Sequence, residues 1–230
     1  MPFPLMIFAA GFGTRMGALT ATRPKPLIEV AGKPLLDHAL DLATDAQAAP
    51  VVVNTHYLAG QIADHLRGRP VAISEEREQI LETGGGLREA LPLLGQGPVM
   101  TLNSDAVWTG TNPLTQLAMA WDATRMDALL LLLPAQDALG HSGTGDFLLA
   151  SDGRIARANG QPGLVYLGAQ IVKPDGLSKI GASVFSLNLL WNEMIKADRA
   201  YGIVHQGGWC DVGRPEGITE AEQLLASSHV

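Results

Sequence analysis

Short apolar runs alternate along the chain with longer stretches in which apolar residues recur every three or four positions. The runs Leu5–Ala9, Pro50–Asn54, Val71–Glu75, Val99–Asn103, Ala128–Pro134 and Gly181–Ser186 predict strands. The stretches Leu35–Ala46, Leu58–Arg67, Gly86–Leu94, Asn112–Trp121, Leu189–Ala200 and Pro215–Ser227 predict helices. The strands are apolar on both faces, as parallel strands covered by helices are. This alternation predicts an α/β fold with a doubly wound, mostly parallel sheet. Ligands of such sheets sit at the carboxyl ends of the strands.

The interval 135–180 breaks the pattern, with seven glycines between Gly140 and Gly168 and no helical period. Within it "GDFLLASDGRIARA" predicts a hairpin turning at Asp152-Gly153, and "GLVYLGAQIVKP" a further strand. The expectation is one domain over 1–230, its main part about 1–134 and 181–230, with a β-rich lobe, about 135–180, beside the main sheet. No repeat, low-complexity segment or linker stands out.

Composition narrows the classes. With 230 residues, 47% hydrophobic and 17% charged, a sizeable core is available and the composition argues against disorder. A net charge of −7 argues against a nucleic-acid partner. The single cysteine, Cys210, excludes an internal disulfide or a cysteine-rich metal site and points to a reducing cytoplasm. The amino-terminal apolar run lacks a basic flank, and "ALLLLL" at 128–133 is too short to span a bilayer, so no membrane is expected.

Candidate chemistry follows the strands. After the first comes "AAGFGTRMGALTATRPKPL", with Gly11, Gly13 and then Arg15, Arg23 and Lys25. Glycines let a backbone approach a ligand, arginine forks onto phosphate oxygens, and Pro24 and Pro26 stiffen the loop around Lys25. No Gly-Lys-Ser/Thr occurs, and Met16 stands where a dinucleotide fingerprint needs its third glycine. Locally the stretch also reads as a glycine turn with solvated basic residues. Thr83-Gly84-Gly85-Gly86 opens a helix, either as a glycine-rich cap or as a flat platform whose N–H groups meet a base. Asp105 and Asp211, in "NSDAVW" and "GGWCDVGRPEG", are turn aspartates or cation ligands. His56, His141 and His205 lack metal-ligand spacing, though His205 lies near the Asp211 loop, and Cys210 reads as a packing residue with no base beside it.

The glycine loop, G-x-G-T-R followed by P-K-P, resembles the signature of sugar-1-phosphate nucleotidyltransferases, and the likeness runs from Leu5 to about Ala221. The resemblance implies a Rossmann-like, GT-A-like fold and transfer of a nucleotidyl group from a nucleoside triphosphate to a sugar-1-phosphate. It implies that Ala10, Gly11, Gly13 and Thr14 hold the triphosphate and that Arg15 and Lys25 are the catalytic cations. It gives base contact to Thr83, Gly84 and Gly85, and a Mg²⁺ cofactor to Asp105 and Asp211, with Asp105 also touching the nucleotide. Gly207 and Gly208 would let the Asp211 loop approach a ligand, and Arg214 replaces the usual threonine there.

Gly145, Asn159 and Gly168 would face the sugar phosphate, with Lys173 and Lys179 as further phosphate contacts. The Glu-Lys-Pro of many members is absent, Ala158-Asn159-Gly160 standing nearby instead. "ETGGG" with "LREALPLL" resembles the uridine-using branch, which implies UTP and N-acetylmuramate-1-phosphate, ahead of GTP with mannose-1-phosphate or dTTP/UTP with glucose-1-phosphate. A monomer or weak homodimer without a hexapeptide-repeat extension is expected.

Three other readings compete. A dinucleotide-dependent oxidoreductase lacks the third glycine and an acidic residue after "VVVNTHYL". A silent nucleotide sensor does not need Arg15, Lys25, Asp105 and Asp211 together. A phosphocholine-type cytidylyltransferase needs an aromatic cage, for which the lobe offers Phe147 and Tyr166.

Overall fold

The computed structural model describes residues 2–227. Its first strand, β1 (Leu5–Phe8), buries Leu5 and Ile7 in one apolar cluster and Met6 in another, so both faces are covered. β1 pairs in parallel with β2 (Val51–Thr55) on one side, and β3 (Val71–Glu75) extends the sheet beyond it. β4 (Val99–Asn103) lies in parallel on the other side of β1. Helices α1 (Leu35–Asp45), α2 (Ala59–Leu66) and α3 (Glu82–Leu94) make the crossovers. The order β3–β2–β1–β4 reverses direction at β1, and a crevice opens at the carboxyl ends of β1 and β4.

Beyond β4 the sheet is mixed. Strands β5 (Ala106–Trp108), β6 (Ala128–Pro134), β7 (Phe147–Leu149), β8 (Ile155–Arg157) and β9 (Leu164–Val172) follow in the chain, α4 (Pro113–Ala120) lying between β5 and β6. β9 runs antiparallel to both β4 and β6 and joins them into one nine-stranded sheet. The region expected as a lobe beside the sheet therefore runs through its middle. The hairpin β7–β8 turns at Asp152-Gly153 as expected and hangs on β9 at Leu164. In β6, Leu129, Leu131 and Leu133 join the first cluster while Leu130 and Leu132 join the second. Each such side chain contributes about 1.5–3 kcal/mol of burial.

Two expectations are corrected. Gly181–Ser186 is not a strand. Its carbonyls bond α3 instead: Gly84 and Gly85 N–H donate to Phe185 O, and Arg88 donates to Ala182 O as well as to Ile180 O just before the segment. The missing strand is β10 (Ala200–Val204), parallel to β6. Helix α5 (Asn188–Lys196) stops short of it, with Asp198 at φ +57° turning the chain. A small second sheet was not expected at all. In it β11 (Trp209–Asp211) pairs antiparallel with β5 and parallel with Ala138–Leu139. Helix α6 (Glu216–Ser227) packs across it. Among the described residues no helix is long and apolar enough to cross a membrane.

Candidate active site

The loop leaving β1 is tied down from beneath. Ala9 N–H donates to Asn54 Oδ1 at 2.7 Å, and Asn54 Nδ2 donates to Glu76 Oε1 at 2.7 Å. Glu76 Oε2 accepts from Leu81 N–H at 2.7 Å, so a carboxylate only 3% exposed is held by hydrogen bonds, with no cation paired to it among the described residues. Gly13 has φ +63°, and a Cβ there would lie 2.8 Å from Lys25 Cβ. Glycine is thus what lets the Lys25 stem pass behind the loop. Lys25 is 8% exposed, and its Nζ lies 2.8 Å from Asp105 Oδ2.

The small sheet brings in the second carboxylate. Asp211 stands opposite Ala106 across the β5–β11 ladder, and Val212 N–H donates to Asp105 O at 2.8 Å. Burial, and next the charge of Asp105, push the Asp211 carboxyl up to about 6, while Lys25, Arg15 and His141 pull it down. A Cβ on Gly213 would sit 2.6 Å from Asp211 Oδ2 and 3.2 Å from a terminal nitrogen of Arg15. Arg15, Lys25, Asp105 and Asp211 therefore converge. Two carboxylates this close are relieved by added positive charge. Their hard oxygens suit a Mg²⁺-type ion that takes its other ligands from phosphate and water.

Arg15, Lys25 and Asp105 edge a cavity of about 400 Å³ at the crevice, with Gly213 on its lining and Asp211 itself outside it. Ala10, Gly11, Gly13 and Thr14 form one wall, and Glu76, Glu82 and Thr83 another. Glu82 is held at φ +62°, a strained backbone for a residue with a Cβ.

A second cavity of about 230 Å³ shares Phe8, Thr83 and Asn103 with the first. Asp146, Arg157, Tyr166, Asn188 and Trp191 are among its walls. Behind it, buried Gln170 donates to Thr101 Oγ1 at 3.1 Å and accepts from Trp191 Nε1 at 2.8 Å. Arg157 spans one wall, its guanidinium 4.8 Å from the Phe147 ring centre and 5.6 Å from that of Trp191. Its Nε and one terminal nitrogen donate to Asn192 Oδ1 at 3.0 and 2.9 Å.

Residues 5–152 match the family described as the MobA-like NTP transferase domain. The chain belongs to this nucleotidyltransferase family. It is 42% identical to an N-acetylmuramate α-1-phosphate uridylyltransferase of Caulobacter vibrioides, over 97% of each chain. It is 35% identical to the enzyme of that name from Neisseria meningitidis serogroup B, over 96% of this chain and 98% of the relative. HddC from Yersinia pseudotuberculosis, solved in complex with GMP-PN, superposes with a TM-score of 0.76 at 20% identity, covering 96% of this chain and 98% of its own. That likeness shows a shared fold.

The transferase gathers most of the residues singled out from sequence, but not all. Ala10, Gly11, Gly13, Thr14, Arg15, Lys25, Thr83 and Asp105 line the first cavity. Gly84 and Gly85 do not. Added Cβ atoms there would strike Phe185 at 2.4 Å and Ser183 O at 2.5 Å, and both N–H groups are taken by Phe185 O. They are close-packing glycines beneath the segment 181–186, and their N–H groups face Phe185 O rather than the first cavity.

Gly168 (φ +83°) backs onto Asn103, whose side chain a Cβ would meet at 2.7 Å, and Gly145 packs on Gly163. Asn159 is exposed in a turn and lines neither cavity. Gly207 and Gly208 pack against Thr109 rather than opening toward a ligand, and Arg214 is exposed. Lys173 pairs with Asp127 at 2.8 Å, and Lys179 is exposed outside both linings. Burial, with Glu220 and Asp211 adding to it, pushes the Cys210 thiol up to about 12, which leaves it a packing residue.

Sequence reasoning missed Asn54, Glu76, Asn103, Asp146 and Arg157, which line the cavities. It also passed over His141, whose Nε2 is buried without a hydrogen-bond partner among the described residues. The polar ends of β2 and β4, Asn54 and Asn103, were the available signal, since each closes an apolar run at the crevice.

Proposed function

We propose that the transferase joins UTP to N-acetylmuramate-1-phosphate, releasing pyrophosphate. The observation that carries this reading is the 42% identity, over 97% of both chains, to an enzyme named for that reaction. The geometry supports it, because a cavity lined by Arg15, Lys25 and Asp105 adjoins a second one through Phe8, Thr83 and Asn103. The triphosphate would occupy the first and the sugar the second.

An oxygen of the acceptor phosphate attacks the α-phosphorus of UTP. The new O–Pα bond forms as the bond from Pα to the bridging oxygen of pyrophosphate breaks. The nucleophile is already an anion, so no base has to remove a proton. The barrier lies in bringing anions together, and Lys25 and Arg15 place positive charge where it develops. Asp105 and Asp211 would hold Mg²⁺, which supplies Lewis-acid charge at the phosphates when bound. Asp211, with its carboxyl pushed up to about 6 by burial and Asp105, would release any proton it holds as the ion enters.

Phe147 and Trp191 do face a cation, but it is the chain's own Arg157, which disfavours a quaternary-ammonium acceptor. A cytoplasmic compartment fits these substrates and the free Cys210. The test is pyrophosphate release with Mg²⁺, crossing UTP, GTP, dTTP and CTP against N-acetylmuramate-, N-acetylglucosamine-, glucose- and mannose-1-phosphates. UTP with the muramate should give the highest kcat/KM. A preference for GTP and mannose-1-phosphate would overturn the choice of substrates.

A further inference from the structure

Arg157 is a half-buried guanidinium with an unusual set of partners. Its Nε and one terminal nitrogen hold Asn192 Oδ1, with a longer contact of 3.3 Å to Asn188 O. Phe147 and Trp191 fix its plane. No carboxylate among the described residues lies within ion-pair distance of it. The charge of Asp146, which lines the same cavity, favours the cation without pairing with it, and Asp146 Oδ2 accepts from Tyr166 N–H at 2.9 Å. The other terminal nitrogen makes no hydrogen bond among the described residues, and the side chain lines the second cavity. A cation that is desolvated, immobilised and not paired directly with a carboxylate forms a site for an anionic group of a ligand.

The position says which group. β8 stands three strands along the sheet from β4, whose carboxyl end leads to Asp105, about 14 Å at about 4.8 Å per strand step, part of which the Arg157 side chain itself spans. The phosphates must lie by Lys25, Asp105 and Asp211. Lys25 and Asp105 edge the first cavity and none of the three lines the second. An acceptor whose phosphate is at that centre therefore presents its far end to Arg157.

We propose that Arg157 reads a carboxylate carried by the sugar ring of the acceptor, separate from its phosphate, and so selects an acidic sugar-1-phosphate over a neutral one. This rests on the nucleotidyl-transfer reading above. A neutral sugar would leave the guanidinium desolvated and unpaired, which is how a polar site rejects an analogue lacking the group it was built to hold.

The test compares N-acetylmuramate-1-phosphate with N-acetylglucosamine-1-phosphate, which lacks the lactyl carboxylate, in the wild type and in Arg157→Met and Arg157→Lys. The wild type should favour the acid. Arg157→Met should raise KM for the acid about 10- to 100-fold, the range for losing a charged hydrogen-bond partner, and should lower KM for the neutral sugar, which no longer strands a desolvated cation. Arg157→Lys should recover part of the loss. UTP binding and melting temperature of the variants report any structural damage directly. An equal loss on both acceptors, or none on the acid, would overturn the inference while the reaction stands. No turnover of either acceptor by the wild type would reject the reaction and the inference with it.

Discussion

At Gly13 the requirement for glycine is double: a left-handed backbone and a Cβ position already filled by the Lys25 stem. Gly13→Ala is expected to cost about 1–3 kcal/mol of stability and to lower activity further by displacing Lys25. Urea unfolding and kcat, measured side by side, check it, and unchanged kcat would detach Lys25 from the reaction. Asp105→Asn keeps the size and an acceptor for Lys25, so the melting temperature should move by less than about 4 °C. Its kcat should fall at least about 100-fold, the scale for removing a preorganised electrostatic partner of the transition state.

A second residue-scale effect belongs to His205, 4% exposed between Trp108, Gln116 and Thr109. Burial holds its pKa below the usual 6.5. The unfolded chain then takes up this proton first as the pH falls, so the contribution is present above 6.5 and lost below it. Unfolding at pH 7.5 and 5.5 should show a smaller acid loss in His205→Gln than in the wild type, and equal losses would remove His205 as a cause.

The residues singled out in sequence at this scale were those with a local context: charge beside glycine for Arg15 and Lys25, the carboxyl end of an apolar strand for Asp105, and the motif likeness for Asp211, against whose selection turn chemistry offered a competing reading. Arg157 and Glu76 were not legible, because an arginine in a hairpin strand or a glutamate in "SEEREQ" looks like solvated surface. Only their tertiary neighbours make them otherwise.

Among the elements, the apolar runs of β1, β2, β4 and β6 read correctly because both faces are buried and the runs are short, and β3, a half-buried edge strand, read correctly from its short apolar run. Gly181–Ser186 carried a similar pattern and misled, since its single buried aromatic, Phe185, packs on Gly84 rather than into the sheet. β10 was hidden at the end of the helical period of α5, and β11 is only three residues long. The glycines of α3 follow the same logic as Phe185. Gly84→Ala should destabilise the fold, and Phe185→Ala should absorb part of that cost. A double-mutant cycle is expected to give a coupling of about 1–2 kcal/mol, whereas strict additivity would mean that the Gly84–Phe185 contact does not decide the glycine.

For the molecule as a whole, the topological switch at β1 and β4 puts the phosphate loop and Asp105 at one crevice, and the small sheet delivers Asp211 from more than a hundred residues further along. β9 then bridges β4 to β6 and carries the hairpin that walls the second cavity. The α/β class and the crevice were legible from strand–helix alternation. The antiparallel passage of β9 was not, because a buried antiparallel strand is as apolar as a parallel one.

The central claim is that this crevice transfers a uridylyl group. The most direct measurement follows UTP, Mg²⁺ and N-acetylmuramate-1-phosphate by phosphorus NMR with the wild type and with Asp105→Asn. The expected result is a nucleotide sugar and pyrophosphate in equal amounts with the wild type, and a rate at least about 100-fold lower with the variant. Production of UDP and inorganic phosphate, or equal rates from both proteins, would contradict it.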